Sequence, residues 1–263
     1  FLASAPGSTT WLPGLCEHGG KCAPVDGFVI TMSPGNTQLA LQFGFNDEQV
    51  FERFDTGANS ELLARIEESL ASDVFAGMWI WGTTGCGVTH LLNAACHRAG
   101  AAGEQVAYLP LCELPRHGDI LSGLDACAVV AVDDLQEWLG DNALEAALMN
   151  LYQGALARRG CFLCGANASA RASAFTLPDL ASRLQALPGF HVQPLDDAGK
   201  RRLLRERADA RGLQLSDQVL NFWLARADRS LPALMADLER IDAAALRHQR
   251  AVTVPLLKSA LDL

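Results

Sequence analysis

The segment best suited to chemistry is a glycine-rich stretch with the spacing of a phosphate-binding loop, G-x-x-x-x-G-K-[ST]. Its members are Gly82, Thr83, Thr84, Gly85, Cys86, Gly87, Val88 and Thr89. A strand pattern precedes the stretch and a helix pattern follows it, so its backbone N–H groups can cradle phosphates at a helix N-terminus. Val88 stands where the motif has lysine, so the cation that normally lies against the β- and γ-phosphates is absent. We expect a bound nucleoside diphosphate and weak hydrolysis, and a strand-to-helix turn without ligand is the alternative.

Two carboxylates, Asp133 and Asp134, follow an apolar strand pattern at residues 129–132. At the carboxyl end of a parallel sheet they would lie beside the glycine-rich loop. Asp133 would then hold Mg²⁺ through water, together with the hydroxyl of Thr89, and Asp134 stands where a general base would act. Taken alone, two acids after a strand are more typical of a turn or of a helix N-cap.

Alternating strand and helix patterns must position these residues. The predicted helices lie at 61–70, 89 to about 98, around 120–124 and about 143–157, and the strands at 78–81, 106–109, 127–132 and 161–165. This alternation predicts an α/β fold, a parallel sheet sandwiched by helices, over residues 51–194. After Pro194 only helix signals follow, with Asp196, Ser216 and Ser230 as N-caps and a last helix from Pro255. They predict a small all-helical domain at 195–263.

Composition limits the function classes. The chain has 263 residues, of which 49% are hydrophobic, and a formal net charge of −9. The acidic balance disfavours a protein that coats nucleic-acid backbones, and no apolar run is long enough for a membrane span. Cysteines such as Cys161 and Cys164 fall in strand patterns, which favours reduced, buried thiols and a cytoplasmic protein. Residues 1–31 are rich in Gly, Pro and Ser, so we expect a disordered leader or a non-native extension before a start at Met32, followed by an N-terminal segment at 32–50.

These motifs, together with the sequence Thr89-His90-Leu91-Leu92-Asn93-Ala94-Ala95, resemble the AAA+ domain of the DnaA-related family over about residues 38–263. The similarity is closer to the Hda family, which inactivates the replication initiator DnaA. The resemblance implies an AAA+ fold with a helical lid and a negative regulator of replication initiation. Such a protein binds ADP or another diphosphate, with Mg²⁺ left open, and activates its partner's ATPase instead of acting as an enzyme itself. Weak ATPase activity of its own is not excluded.

A short N-terminal peptide is similar to the Q-L-x-L-x-F motif by which bacterial proteins bind the sliding DNA clamp. Its residues Gln38, Leu39, Leu41 and Phe43 would supply an orienting amide and apolar anchors for a pocket of the clamp. An edge strand is the alternative for a pattern this short.

A second stretch, residues 177–184, is similar to the Hda segment that carries an arginine finger. The resemblance makes Arg183 the finger, which would reach the nucleotide of a neighbouring DnaA. A solvated surface arginine is the alternative.

Other family positions are matched less completely. Phe54 and Asn59 belong to a stretch similar to the one that frames the adenine base, although Phe54 is equally suited to the core. Asn167 is the expected polar sensor of the phosphates. Pro232 stands where the family has its sensor arginine, and Arg229 is a candidate replacement or a surface charge beside a helix.

Two further functions are carried as alternatives: a DnaA-like initiator or helicase loader, and a nucleotide-free AAA+ scaffold. No basic helix-turn-helix is recognisable, so we expect no direct sequence-specific DNA binding. A homodimer is left open. The basic cluster Arg201, Arg202, Arg205 and Arg207 is interleaved with acids, which favours a solvated helix face.

Overall fold

The computed structural model describes residues 49–248 and 252–262. The predicted leader, the start at Met32 and the clamp peptide of Gln38, Leu39, Leu41 and Phe43 lie outside the described residues. The strands are β1 Ala76–Trp81, β2 Val106–Pro110, β3 Val129–Asp133, β4 Cys161–Ala166 and β5 Gly189–His191. The helices are α1 Ser60–Leu70, α2 Val88–Ala101, α3 Asn142–Ala157, α4 Pro178–Gln185, α5 Asp197–Ala210, α6 Asp217–Leu224, α7 Leu231–His248 and α8 Val254–Leu261.

The five strands form one parallel sheet in the order β2-β3-β4-β1-β5. Trp81 at the end of β1 pairs with Ala166 at the end of β4, and Val132 near the end of β3 pairs with Cys164. The loop after β1 and the residues after β3 and β4 therefore meet at one edge of the sheet. This edge is where an open parallel sheet binds its ligand.

Each face of the sheet is covered by helices, as the alternation predicted. Alternate strand residues point to opposite faces, so Trp79 joins the core beneath α3 and α4, and Ile80 joins the core beneath α1 and α2. Both side chains are almost completely buried, and burial of a large apolar side chain contributes about 1.5–3 kcal/mol. The sheet that carries the site is thus packed between two apolar cores.

Helices α5–α8 form a separate helical bundle with its own core around Leu204, Trp223 and Leu238. Its N-caps include two that the sequence predicted, because Asp196 accepts a hydrogen bond from Gly199 N and Ser216 from Val219 N. Thr253 caps α8 in the same way. Within the described residues, none of the helices is long and apolar enough to cross a membrane.

Two details differ from the sequence-based expectations. The helix predicted around 120–124 is wrong: two short 3₁₀ turns, Gly118–Leu121 and Leu124–Ala126, occupy the region. Gly123, with φ of 84°, separates them because this left-handed conformation interrupts a helix. The sequence analysis also gave no strand at β5, which is only three residues long and half exposed.

Candidate functional site

A cleft of about 700 Å³ lies at the carboxyl edge of the sheet, between the α/β domain and the helical bundle. It brings together nearly all residues predicted to bind a nucleotide or metal: Phe54, Asn59, Gly82, Thr83, Thr84, Gly85, Cys86, Gly87, Val88, Thr89, Asp133, Asp134 and Asn167. Arg229 and Arg183 are not among its lining residues. The cleft is therefore a nucleotide-sized cavity with the glycine-rich loop as its floor.

Two glycines of the loop lie so close to other residues that a side chain at either position would clash with them. Gly85 has φ of 79°, and a Cβ atom there would lie 2.3 Å from Pro232 Cδ. A Cβ atom on Gly87 would lie 2.8 Å from the Phe54 ring. The loop is thus covered by an aromatic ring on one side and by the first turn of α7 on the other.

Val88 fills the lysine position with an apolar contact. Its side chain packs against the core on the α2 side of the sheet. Its Cγ1 lies 2.9 Å from the point where a Cβ atom on Gly165 of β4 would stand. The Val88 side chain therefore packs between the loop and β4, and it brings no charge to the cleft.

Asp133 is a buried carboxylate, 3% exposed, whose oxygens have several partners. Tyr108 Oη donates to Asp133 Oδ2 at 2.9 Å, Asp134 N donates to Oδ1 at 3.0 Å, and the Thr89 hydroxyl is a further hydrogen-bond partner. Burial raises the pKa of Asp133, while the hydrogen bond from Thr89 opposes this effect. Burial also raises the pKa of Tyr108, so its hydroxyl keeps its proton as a donor.

The pair Thr89 and Asp133 is suited to Mg²⁺. The Thr89 hydroxyl lines the cleft and contacts the carboxylate behind it, and Mg²⁺ commonly takes one or two such oxygen ligands while keeping several waters and phosphate oxygens. Among the described residues there is no group of three or more His, Cys, Asp or Glu side chains that could hold a metal by itself. A cation here would depend on the phosphates of a nucleotide, whose charge it would screen.

Asp134 and Asn167 are joined by a residue that the sequence analysis missed. Gln136 Nε2 donates to Asp134 Oδ1 at 3.0 Å, and Gln136 Oε1 accepts from Asn167 N at 3.2 Å. Asp134 has φ of 52°, a left-handed conformation that aspartate adopts more readily than most residues. Gln136 thus ties the ends of β3 and β4 together, and the Asn167 side chain lines the cleft.

The segment before α1 is joined to the residues that follow β5 through Asn59. This buried amide donates to Gln193 O at 2.9 Å and accepts from Gln193 N at 2.8 Å. The structure therefore gives Asn59 a positioning role at the wall of the cleft. Phe54 meets the ring of His90 edge to face, with centroids 5.4 Å apart, and this pair forms an aromatic wall beside the loop.

Arg229 lies outside the cleft lining in the described structure. Its Nε donates to Leu224 O at 3.1 Å, and its guanidinium pairs with Asp197 at 3.3 Å. Both contacts are within the helical bundle. Its predicted role at the nucleotide stays a prediction. Pro232, at the position where the resemblance implies a sensor arginine, lies against Gly85 of the loop.

Arg183 is exposed on the last turn of α4, a helix whose opposite side buries Leu180 and Leu184 in the core. No ion pair within the described residues involves its guanidinium. Its charge is therefore available to a partner on the outer surface, away from the protein's own cleft.

Glu145 anchors the start of α4, a role that the sequence analysis missed. The carboxylate is fully buried on α3 and accepts hydrogen bonds from Gly140 N, Thr176 N and Leu177 N at 2.6–3.0 Å. Leu177 is the N-cap residue of α4 and has no side-chain cap of its own. Glu145 thus fixes the helix that carries Arg183 and places a negative charge at its N-terminus.

The strand cysteines Cys161 and Cys164 are buried and free, as the sequence predicted. Burial raises the pKa of Cys161 to about 12 and also raises that of Cys164. A redox role needs an accessible thiolate, so the structure favours core packing for both residues.

In the basic cluster of α5, Arg202 and Arg205 are exposed, whereas Arg207 departs from the expected solvated helix face. Arg202 pairs with Asp55 at 2.9 Å and Arg205 with Asp217, whereas Arg207 lines the cleft together with Arg211, the residue after α5. The sequence contains a signal for this arrangement: Arg207 and Arg211 follow the buried Leu203 at intervals of four residues, which places all three on one side of the helix.

Comparison with known proteins agrees with this architecture. Residues 197–261 match the family model of the lid domain of Hda. Domain III of DnaA from Thermotoga maritima superposes with a TM-score of 0.71 at 18% identity, covering 84% of this chain and 98% of that one. DnaA from Aquifex aeolicus bound to AMPPCP superposes with a TM-score of 0.64 at 17% identity, covering 78% of this chain and 68% of that one.

A motor protein has the same fold. RuvB, the Holliday junction branch migration motor of Thermotoga maritima, superposes with a TM-score of 0.61 at 10% identity, over 80% of this chain and 69% of that one. The similarity to DnaA and RuvB establishes the AAA+ fold, and the family match assigns α5–α8 to an Hda-type lid. Residues 197–261 are thus similar to the lid domain of Hda, and the chain has the AAA+ fold that DnaA and RuvB also have.

Proposed function

We infer that this protein is a negative regulator of replication initiation that stimulates ATP hydrolysis by DnaA through Arg183. The observation that carries the proposal is an exposed arginine on a firmly anchored helix, outside the protein's own nucleotide cleft. An arginine delivered in trans neutralises charge that develops on the phosphates during hydrolysis, an effect worth about 10³–10⁵ in rate in GTPases. Hydrolysis of the ATP bound to DnaA would then inactivate DnaA as an initiator.

The protein's own cleft is suited to holding a nucleotide without turning it over. Val88 replaces the loop lysine and Pro232 lies against Gly85, so two cations that would stabilise the transition state are missing. The backbone N–H groups of the loop and the N-terminus of α2 still favour an anion. We therefore propose bound ADP, with Mg²⁺ on Thr89 and Asp133, as a structural cofactor that joins the sheet to the lid.

The sliding clamp is the proposed tether. Gln38, Leu39, Leu41 and Phe43 match the clamp-binding pattern and lie N-terminal to the described domain. A tether of this kind raises the effective concentration of Arg183 near DnaA on the same DNA without any new contact. The arrangement would couple DnaA inactivation to a clamp already loaded on DNA.

A DnaA ATPase assay on clamp-loaded DNA tests the tether. The wild-type protein should accelerate ATP hydrolysis, and Gln38→Ala should weaken both clamp binding and the acceleration. The same variant should regain full acceleration at high protein concentration, because the catalytic arginine is intact. Tight clamp binding by Gln38→Ala would remove the tether from the proposal.

A nucleotide-free scaffold is the second candidate, favoured by the contact of Pro232 with the loop. Calorimetric titration with ADP and with ATP separates the two. Measurable heat of binding supports the nucleotide cofactor, and its absence supports the scaffold.

A further inference from the structure

The electrostatics of the cleft pose a problem for any bound phosphate. Its lining carries four acids, Asp133, Asp134, Glu137 and Glu239, in addition to Asp55. Asp55 is paired with Arg202, but the loop has no lysine to balance the others. A diphosphate adds further negative charge, so its binding requires cations from another element.

The lid offers such cations on one face of α5. Leu203, Arg207 and Arg211 are spaced four residues apart, and all three line the cleft. Leu203 is buried, Arg207 is half-buried and Arg211 is exposed. Besides His90, the other basic residue among the described lining residues is Arg53, which lies next to Phe54.

Arg207 and the first turn of α2 line the same cleft, and His90 directly follows Thr89 in that turn. His90 Nε2 lies 2.9 Å from Val50 O, which orients the ring. Arg207 therefore lines the same cavity that a phosphate on the loop, at the N-terminus of α2, would occupy.

The helix that carries Arg207 is held in place. Asp196 caps its N-terminus, Leu204 is buried in the lid core, and Arg202 pairs with Asp55 of the segment before α1. This pairing ties α5 to the wall of the same cleft. A cation on such an element costs less ordering entropy on binding than one on a loop.

We propose that Arg207, assisted by Arg211, neutralises the phosphates of the bound nucleoside diphosphate in place of the missing loop lysine and sensor arginine. The inference rests on the nucleotide binding proposed above. It assigns the lid a direct part in nucleotide affinity: loss of the nucleotide would loosen the lid, and opening of the lid would release the nucleotide.

Calorimetric titration of the full-length protein with ADP tests the charge of these arginines. The double variant Arg207→Gln/Arg211→Gln should raise the Kd for ADP about 10- to 100-fold, because hydrogen bonds between charged groups are stronger than those between neutral groups. Arg207→Lys with Arg211→Lys should retain most of the affinity because the charge remains. Arg205→Gln, on the same helix but outside the cleft lining, is the matched control and should bind as the wild type does.

The outcomes separate this inference from the function on which it rests. If the wild-type protein binds no ADP, both the nucleotide cofactor and the arginine role are overturned. Equal affinity of the wild type and the double glutamine variant overturns the arginine role alone. An equal loss in the glutamine and lysine variants also overturns it, because the contribution would then not come from charge.

Discussion

Glu145 offers a test of how the helix carrying Arg183 is held. Its fully buried carboxylate accepts hydrogen bonds from three backbone N–H groups, those of Gly140, Thr176 and Leu177, at 2.6–3.0 Å. Glu145→Ala removes all of these bonds at once. Glu145→Gln keeps the shape of the side chain but replaces one acceptor oxygen by an NH₂ group that faces other donors.

The cost follows from the unsatisfied donors. Each buried N–H that loses its partner costs about 1–3 kcal/mol, so Glu145→Ala should lower the free energy of unfolding by roughly 3–5 kcal/mol. Glu145→Gln should cost roughly 2 kcal/mol, since one acceptor remains. The loss should be concentrated at the start of α4, because Thr176 and Leu177 precede that helix.

Urea denaturation of both variants gives the free energy, and amide hydrogen exchange locates the change. Exchange should accelerate in α4, and stimulation of the DnaA ATPase should fall in the Glu145→Gln protein even where it stays folded. Glu206→Gln, an exposed change on α5, is the control for loss of one negative charge. A cost below about 0.5 kcal/mol for Glu145→Ala would refute the anchoring role.

Three other changes test the cleft. Val88→Lys should tighten ADP binding by roughly 10-fold in calorimetry by restoring a cation, and an unchanged affinity would mean that the loop does not hold the phosphates. Gly85→Ala should lower Tm and weaken ADP binding, because a Cβ atom would lie 2.3 Å from the Pro232 ring and φ is 79°; wild-type values in both assays would contradict this contact. Asn59→Ala should lower the free energy of unfolding by roughly 2 kcal/mol in urea, since the backbone groups of Gln193 lose both partners, and a neutral effect would refute the fastening of this segment.

Much of the fold could be predicted because its signals are local. Strand patterns such as those at Met78 and Cys161 are strongly apolar, and Asp196 and Ser216 mark helix starts by residue type alone. The turns around Gly123 and the short strand β5 could not be predicted in this way. Their conformations depend on one left-handed residue and on pairing with β1, neither of which leaves a periodic pattern.

The candidate site could be predicted where a motif carries it, as with Gly85, Thr89 and Asp133. The residues that could not be predicted from the sequence are those whose roles depend on contacts with distant parts of the chain. Glu145 lies in an apolar helix and meets N–H groups 31 and 32 residues away, and Arg207 looked like part of a charged surface. The contacts of Glu145 have no spacing along the chain that could have revealed them. The four-residue spacing of Arg207 from Leu203 places both residues on one helix face, but it does not show that this face lines a cleft.

The most direct measurement is the rate of ATP hydrolysis by DnaA on clamp-loaded DNA with wild-type protein, Arg183→Ala and Arg247→Ala, the last a change of an exposed lid arginine. Wild type and Arg247→Ala should accelerate hydrolysis equally, and Arg183→Ala should return it to the rate of DnaA alone while still binding the clamp. Undiminished acceleration by Arg183→Ala would contradict a trans arginine as the source of the activity.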